Sequence, residues 1–406
     1  MTRIVTAANP AQFLALVPHL LGCIPRRSLV LVPFSGSRTL GALRLDLPET
    51  DDPGELDSLS ATFIGMVCRV EGADAVAAIV YTDEVFAPDS SMPHARLLAA
   101  LELRADECGV RVVDLLCVAA DGWGSRRDPQ CPDEGRSLDL IAVEGVDDRP
   151  PASGDQESGA TLPAGDDAAS ARVAAALDEL GAAVTLLCRP AAAGERATRE
   201  PTAGAAEESG DPAEPGDPAR VNPQALAAVC ALDDVPTLFE DALRWDADDL
   251  DAFPAALLIW CLARPALRDI ALSQWAGGFD AGEEALAAQL RWESGAEYPE
   301  RLAMRMWGEG ERPDAQRLRG ALTLARALAV AAPRELRPGA LATCAWLAWA
   351  LGRSSHAARY AQWAGEIDPA HGLAEIVSSF VAAGHLPDWA FTSRGGRGSS
   401  RGSRGR

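Results

Sequence analysis

The sequence contains no lysine: all 37 of its basic side chains, in 406 residues, are arginine. A phosphate-binding P-loop needs a lysine to reach the β- and γ-phosphates. Pyridoxal enzymes need one for the Schiff base, and protein kinases need one on their third strand. None of these chemistries is present in its usual form. Nine cysteines stand singly at Cys23, Cys68, Cys108, Cys117, Cys131, Cys188, Cys230, Cys261 and Cys344. With no C-x-x-C among them, neither a zinc ribbon nor a thioredoxin-type motif can be built. The five histidines (His19, His94, His356, His371 and His385) form no H-x-x-x-H pair, which removes a helix-borne zinc site and leaves capping or surface roles. Long apolar runs are also missing. The two longest, Ala255–Ala263 and Ala340–Gly352, fall short of the ~20 residues that cross a bilayer.

What is abundant is acid. Asp and Glu number 59, for a formal charge of -22, so the molecule repels nucleic-acid phosphates and anionic lipid surfaces and would admit basic partners or cations. The Ala- and Arg-rich usage reads as a coding bias of a GC-rich genome. The first apolar stretch is interrupted by Pro10, Gln12, Pro18 and His19 and does not read as an export signal. Most cysteines fall in apolar runs, where a thiol acts as a small hydrophobe. The expectation is buried, reduced cysteines in a cytoplasmic protein.

Along the chain, residues 1–146 read as an α/β domain. Asn9-Pro10 supplies an N-cap and first helical residue for a short helix limited by Pro18 and Gly22. Two β-rich runs, Ser28–Phe34 and Leu40–Leu47, flank Ser35-Gly36-Ser37 as a hairpin. A helix (Pro53–Val70), a strand (Ala75–Tyr81), a helix (Met92–Cys108) and a strand (Arg111–Ala119) follow, an alternation that implies a partly parallel sheet covered by helices. Trp123–Arg127 suits a short antiparallel edge strand. Residues 147–170 and 191–220 are Ala-, Gly-, Pro- and acid-rich and read as disordered linkers. Between them, 171–190 reads as a helix, Gly181, then a strand (Val184–Cys188) docking on the first domain's sheet.

From 221 to 390 the pattern is helical, punctuated by Pro or Gly every 12–20 residues as helical hairpins require. It holds nine of the ten tryptophans, suited to anchoring a helix-packed core. Ala357, Ala364 and Pro369, after Gly352, keep the spacing of a tetratricopeptide second helix. A true array needs about three such units of ~34 residues, and one is present, so the domain is tetratricopeptide-like in part. Residues 391–406 form an Arg/Gly/Ser tail, expected to be disordered.

Several segments carry a family likeness. LALVPHLLGCIPRRSLVLV (Leu14–Val32), LGALRLDLP (Leu40–Pro48), WGSRRDPQCPDEG (Trp123–Gly135), LRDIALSQWAGG (Leu267–Gly278) and LAWALGRSSHAARYAQWAGEIDP (Leu347–Pro369) resemble an actinobacterial family catalogued as domain of unknown function 4192. The resemblance implies architecture and bacterial origin, not a chemistry. The chain departs from the pattern at Cys23, where an aromatic is expected, and at Cys131, which stands alone where the family often has more than one cysteine. A metal site built on those cysteines would not extend to this chain.

Open α/β sheets bind ligands at the carboxyl ends of their strands. There the sequence places Asp83 and Glu84 after one strand, Asp121 after another, and Asp46 beside Arg44 at the end of the hairpin. Converging carboxylates of this kind can hold a divalent cation or act as an acid/base pair; equally, acids after strands cap helices or stay solvated. Arg26 and Arg27 precede the first strand and are placed to grip an anion, or are ordinary surface arginines. Ser28 lies in no G-x-S-x-G elbow, and Gly122-Trp123-Gly124 has Arg127 where a dinucleotide fingerprint needs its third glycine.

The sequence therefore identifies no catalytic residue, metal or cofactor. Its first functional expectation is a non-catalytic interaction protein whose helical domain contacts a protein partner. The alternative is an enzyme or ligand- or metal-binding domain using the strand-end carboxylates. A third reading is weak RNA contact through the tail, whose five arginines from Ser393 to Arg406 carry no acid among them. No membrane and no specific nucleic acid are expected as partners.

Overall fold

The computed structural model describes residues 7–86, 92–141, 153–187 and 221–392. These divide into two compact units: the described residues of 1–161 together with 387–392, and Leu162–Leu386.

The first unit is built on one mixed sheet. Helix α1 (Pro10–Leu21) starts at Asn9, whose side chain accepts from the Gln12 N–H, and ends at Gly22 in the left-handed region. It continues through Pro18, and the Gly22 cap terminates it. Strand β1 (Ser28–Ser35) pairs antiparallel along one edge with both β2 (Arg38–Thr39) and β3 (Leu43–Asp46), and along the other with β4 (Ala75–Tyr81). Helix α2 (Pro53–Arg69), capped by Asp52, connects β3 to β4, and α3 (Ala95–Glu107) connects β4 to β5 (Arg111–Val118). β4 and β5 are parallel, and β6 (Trp123–Ser125) closes that edge antiparallel to β5. The expected hairpin, parallel pair and edge strand are all present.

The sheet is buried on both faces, which is why its central strands read as unbroken apolar runs. Leu29, Leu31, Val76, Ala78 and Val80 face Leu56, Phe63 and Ile64 of α2 and Leu97, Leu98 and Leu101 of α3. The alternate residues Val30, Val32, Ala77 and Ile79 face Leu14 and Val17 of α1, with Trp123 and Leu116. The last described residues of the chain return here: Trp389 and Phe391 are buried, Arg69 lies 4.0 Å over the Phe391 ring, and its guanidinium meets Asp388 at 2.7 Å.

The second unit is helical throughout its described residues. It comprises α4 (Asp167–Leu187), α5 (Pro223–Cys230), α6 (Val235–Ala242), α7 (Ala252–Leu262), α8 (Pro265–Gly277) and α9 (Phe279–Glu293). Then come α10 (Glu300–Met306), α11 (Ala315–Ala331), α12 (Arg337–Ala350), α13 (Ser354–Ile367) and α14 (Gly372–Ala382). Helix α12 is buried along nearly its whole length and packs against α11, α13 and α14. Trp275, Trp346 and Trp349 are fully buried. Each indole N–H donates to a carbonyl at or near a helix end: Phe239, Met306 and His385, at 3.0, 3.0 and 2.8 Å. This supplies the polar partner that a buried tryptophan needs, and at Phe239 and Met306 it satisfies carbonyls that a helix terminus leaves without an internal donor.

Three expectations are corrected. The segment expected as a helix and a strand on the α/β sheet is a single helix, α4, that packs on α7, α5 and α11. Val173, Ala176, Leu177, Leu180 and Ala183 make its buried stripe, and Gly181 costs only about 1 kcal/mol in a helix interior, too little to end it. Within the expected linker 147–170, residues 153–170 are ordered. Asp155 accepts from the Glu157 and Ser158 N–H groups, the Arg26 and Gln156 groups bond each other across 3.1 Å, and Ala160 is buried. The helical unit reaches back to Leu162, and residues 387–390, read as its end, pack with the sheet unit. Residues 147–152, the segment 191–220 and the tail from 393 lie outside the described residues.

Candidate functional site

The parallel pair β4–β5 ends at Tyr81 and Val118, beside the start of β1 and the end of β3, because Ser28 is in register with both Tyr81 and Asp46. Four strand ends and the N-terminus of α3 thus meet at one sheet edge. A groove of about 520 Å³ opens there, lined by Arg27, the β3–α2 segment Leu47–Asp51, Thr82, Asp83, Glu84 and His94.

One wall is the tripeptide after β4. Thr82 is nearly buried, and its backbone N–H donates to Val118 O at 3.0 Å. Its hydroxyl accepts from the Glu84 N–H at 3.2 Å and lies 3.3 Å from His94 Nε2. Glu84 Oε1 is also 3.3 Å from that nitrogen. His94 holds a left-handed backbone (φ 55) at the N-cap of α3 and makes no side-chain cap bond, so its ring is turned to the groove wall instead. Arg27 also has positive φ (43), and its guanidinium meets Glu49 at 3.1 Å on the opposite wall. Glu49, Asp51, Asp83 and Glu84 outnumber Arg27, so the groove favours a ligand with positive charge.

Both Thr82 and Glu84 address the same ring nitrogen. A nucleophile–base–carboxylate relay instead requires the two partners on different ring nitrogens. Here the histidine is a fixed polar contact, held by a hydroxyl and a carboxylate.

Of the sequence-predicted residues, the structure brings Asp83, Glu84 and Arg27 to this groove. Arg44 and Asp46 do not line it: Arg44 Nη1 donates at 2.9 Å to Ser28 Oγ and at 2.9 Å to Asp46 Oδ1. Asp121 is spent on the backbone, its Oδ1 accepting from the Phe86 N–H at 3.0 Å. The Cys117 thiol is pushed up to about 12, first by burial and then by the charges of Glu84 and Asp121, so it is inert as a nucleophile. Arg26 and Arg27 do not act as a pair. Arg26 joins the Gln156 turn and, after that turn's own hydrogen bonds, helps hold Asp155 below its ordinary value. Ser28, outside any nucleophile motif, donates its buried hydroxyl to Arg26 O at 2.7 Å.

Gly122 and Gly124 pack against a side chain. They and Gly135 form the seat of Phe86: a Cβ would meet its ring at 3.6 Å, 3.3 Å and 3.0 Å, respectively. Among the described residues, no three His, Cys, Asp or Glu side chains are grouped to hold a metal ion.

Sequence reasoning missed His94, Glu49, Thr50 and Asp51. The last three follow the hairpin as Glu-Thr-Asp directly before Asp52, a run that reads only as the N-cap region of α2. His94 follows β4 by a dozen residues and carries no motif.

This architecture, a mixed α/β sheet unit followed by a helical unit, goes with a family match. The chain belongs to the family described as Domain of unknown function (DUF4192), whose model matches residues 10–317. The match includes the groove and the Leu267–Gly278 segment; Leu347–Pro369 lies beyond it. No curated protein and no solved structure matches the chain. Among the described residues, no helix is long and apolar enough to cross a membrane.

Proposed function

We propose that this chain is a binding protein whose α/β unit takes a small, polar, positively charged molecule in the strand-end groove. One observation carries the reading. Among the described residues, the two non-glycine residues with left-handed backbone are Arg27 and His94, and both line this groove. Such conformations cost about 1–2 kcal/mol each and persist where the surroundings hold a side chain in a set place. The position agrees with ligand binding outside the carboxyl ends of parallel strands, and the shared His94 nitrogen favours binding over catalysis. Free thiols throughout the described cysteines fit a reducing, cytoplasmic setting.

The test is a thermal-shift and calorimetric screen of the full chain against polyamines, amino sugars and guanidinium compounds. A specific ligand at about 100 times its Kd adds about 2.7 kcal/mol to stability, a rise of several degrees in Tm. Asp83→Asn with Glu84→Gln is expected to abolish that rise. If no cationic compound shifts the melt, or the double variant responds as the parent does, the reading fails.

A second reading, a protein partner on the helical unit, is favoured by Leu290 and Trp292 at the end of α9, which are 58% and 54% exposed. Solitary exposed apolar side chains are common, and Leu290 and Trp292, two residues apart, point to different sides of α9, so Trp292 by itself is the kind of anchor that interfaces use. Trp292→Ala would weaken capture of such a partner and leave the melt unchanged. The RNA reading rests on residues outside those described.

A further inference from the structure

The thiols of this chain divide by exposure. Cys117, Cys261 and Cys344 are buried, whereas Cys68 and Cys108 stand at the surface of the sheet unit. That is an uncommon place for cysteine, which is among the most buried of residue types. The topology of the unit brings these two together. Helix α2 leads into β4 and α3 into β5, and those strands are parallel neighbours. The two helices cover one face of the sheet, with Ile64 and Val67 of α2 and Leu101 and Ala105 of α3 in a single core. Successive crossovers of this kind run side by side in one direction, so their C-terminal ends lie together.

Cys68 is the penultimate residue of α2, and Cys108 is the C-cap of α3. The segments that follow them are tied to each other. The Arg111 N–H donates to Asp74 O at 3.1 Å, where Ala75 and Arg111 begin the β4–β5 register. Nearer the helix starts, Arg104 Nε donates to Asp57 Oδ1 at 2.8 Å and holds α3 against α2. Cys68 and Cys108 lie between these two ties on their own helices, and their side chains hydrogen-bond each other. Two sulfur atoms already in contact have a short way to travel to the ~2.05 Å of a disulfide.

We propose that Cys68 and Cys108 form a reversible disulfide within the chain, made by exchange with a small disulfide of the oxidised-glutathione class. An exposed thiol pair in contact is the kind that a reducing compartment uses for redox response rather than for stability. In the first step the thiolate of one cysteine attacks a sulfur of the small disulfide. That S–S bond breaks, and the departing thiolate takes up the proton the cysteine gave up. The second cysteine, deprotonated in turn, attacks the mixed disulfide at the protein sulfur, and a second small thiol leaves. Two protein thiols are oxidised, and one small disulfide is reduced to two thiols. Burial and the Cys108 thiol raise Cys68 above its ordinary value, so the exchange should quicken as pH rises. The pair lies at the amino ends of β4 and β5, at the opposite end of those strands from the groove, and does not rest on the binding proposed there.

The test uses the full chain, reduced and then freed of reductant, incubated with oxidised glutathione and mapped by mass spectrometry without reduction. A Cys68–Cys108 cross-linked peptide from within one chain is expected, with glutathione absent from both positions. Excess reduced glutathione should return both thiols. Cys68→Ser and Cys108→Ser should each halt the exchange at a mixed disulfide, with glutathione left on the remaining cysteine. Cys230→Ser, which removes an exposed thiol elsewhere in the chain, should leave the cross-link unchanged. The bond closes a loop of about 40 residues, and restricting the unfolded chain in this way should hold Tm or raise it by several degrees. The proposal is overturned if the parent shows no cross-link, whether the two cysteines end as separate glutathione adducts or unreacted. A cross-link between two chains, or one that reduced glutathione cannot undo, overturns it as well. So does an oxidised chain that melts below the reduced one, because the bond would then form only by distorting the fold.

Discussion

At Gly339 a methyl group would lie 2.5 Å from the Leu262 carbonyl oxygen, inside the contact that lets α12 cross the end of α7. Backbone cannot step aside as a flexible side chain can. Gly339→Ala is therefore expected to lower stability by about 1–3 kcal/mol, seen as a lower urea midpoint at unchanged slope. The cysteines give a second expectation at this scale. Cys117, Cys261 and Cys344 are buried, but Cys68, Cys108 and Cys230 are exposed, which corrects the reading of cysteines as core residues. Cys68 and Cys108 end α2 and α3 on outward faces, and the Cys68 thiol is raised by burial and by the neighbouring Cys108. Brief alkylation of the native chain, mapped by mass spectrometry, should label Cys68, Cys108 and Cys230 and spare the three buried thiols. Labelling of Cys344 in the folded state would contradict the packing of α12.

Among the helices, the join of α6, α8 and α11 depends on one carboxylate. Glu240 receives both arms of the Arg317 guanidinium and, at 3.1 Å, the Gln274 amide, which also donates to Pro236 O at 2.8 Å. The Arg317 hydrogen bonds first, then that of Gln274, outweigh desolvation and hold Glu240 at about 2 against an ordinary 4.5. A folded value below the unfolded one means stability that is present above about pH 4.5 and is lost as pH falls toward 2. Glu240→Gln should therefore destabilise by about 1–2 kcal/mol at neutral pH, after allowing for solvent screening. The difference from the parent should close in acid. Chemical denaturation at intervals from pH 7 to about 2.5 follows the convergence; a gap that persists at the acid end would assign Glu240 a packing role instead. This join also gives the Leu267–Gly278 segment a physical reason: Gln274 and Trp275 face α6, and a side chain at Gly282 would collide with the Gln274 amide.

For the molecule as a whole, the strongest electrostatic influence is a net charge of -22. Self-repulsion of that size is screened over about 10 Å at 0.1 M salt, and most cross-strand and inter-helix ion pairs here are partly exposed and individually weak. Raising sodium chloride from about 20 to 200 mM at neutral pH should therefore increase Tm by a few degrees. A fall in Tm would mean that specific pairs such as Arg104–Asp57 and Arg317–Glu240 outweigh the overall field.

The α/β unit was legible from residue order alone because its signals are local: Asn9-Pro10 and Asp52-Pro53 cap helices, Ser-Gly-Ser turns a hairpin, and apolar runs of seven or eight residues have no polar alternative to burial on both faces. Asp83 and Glu84 were legible as site residues for the same reason, since they follow a strand directly. The break came at α4, where an alanine-rich run with a central glycine suits two structures equally and only its contacts with α7 and α5 select one. It came again at the groove. Arg27, Glu49, Glu84 and His94 come from four separate segments, and no spacing records that Ser28, Tyr81 and Asp46 lie in register. Residue content and near neighbours were enough to exclude lysine chemistry, to make the surface acidic and to order the strands and helices. It took the folded chain to commit Asp121 to a backbone amide and to turn His94 toward Thr82 and Glu84. Those outcomes depend on long-range packing, in which a side chain's role is set by whatever the fold brings against it.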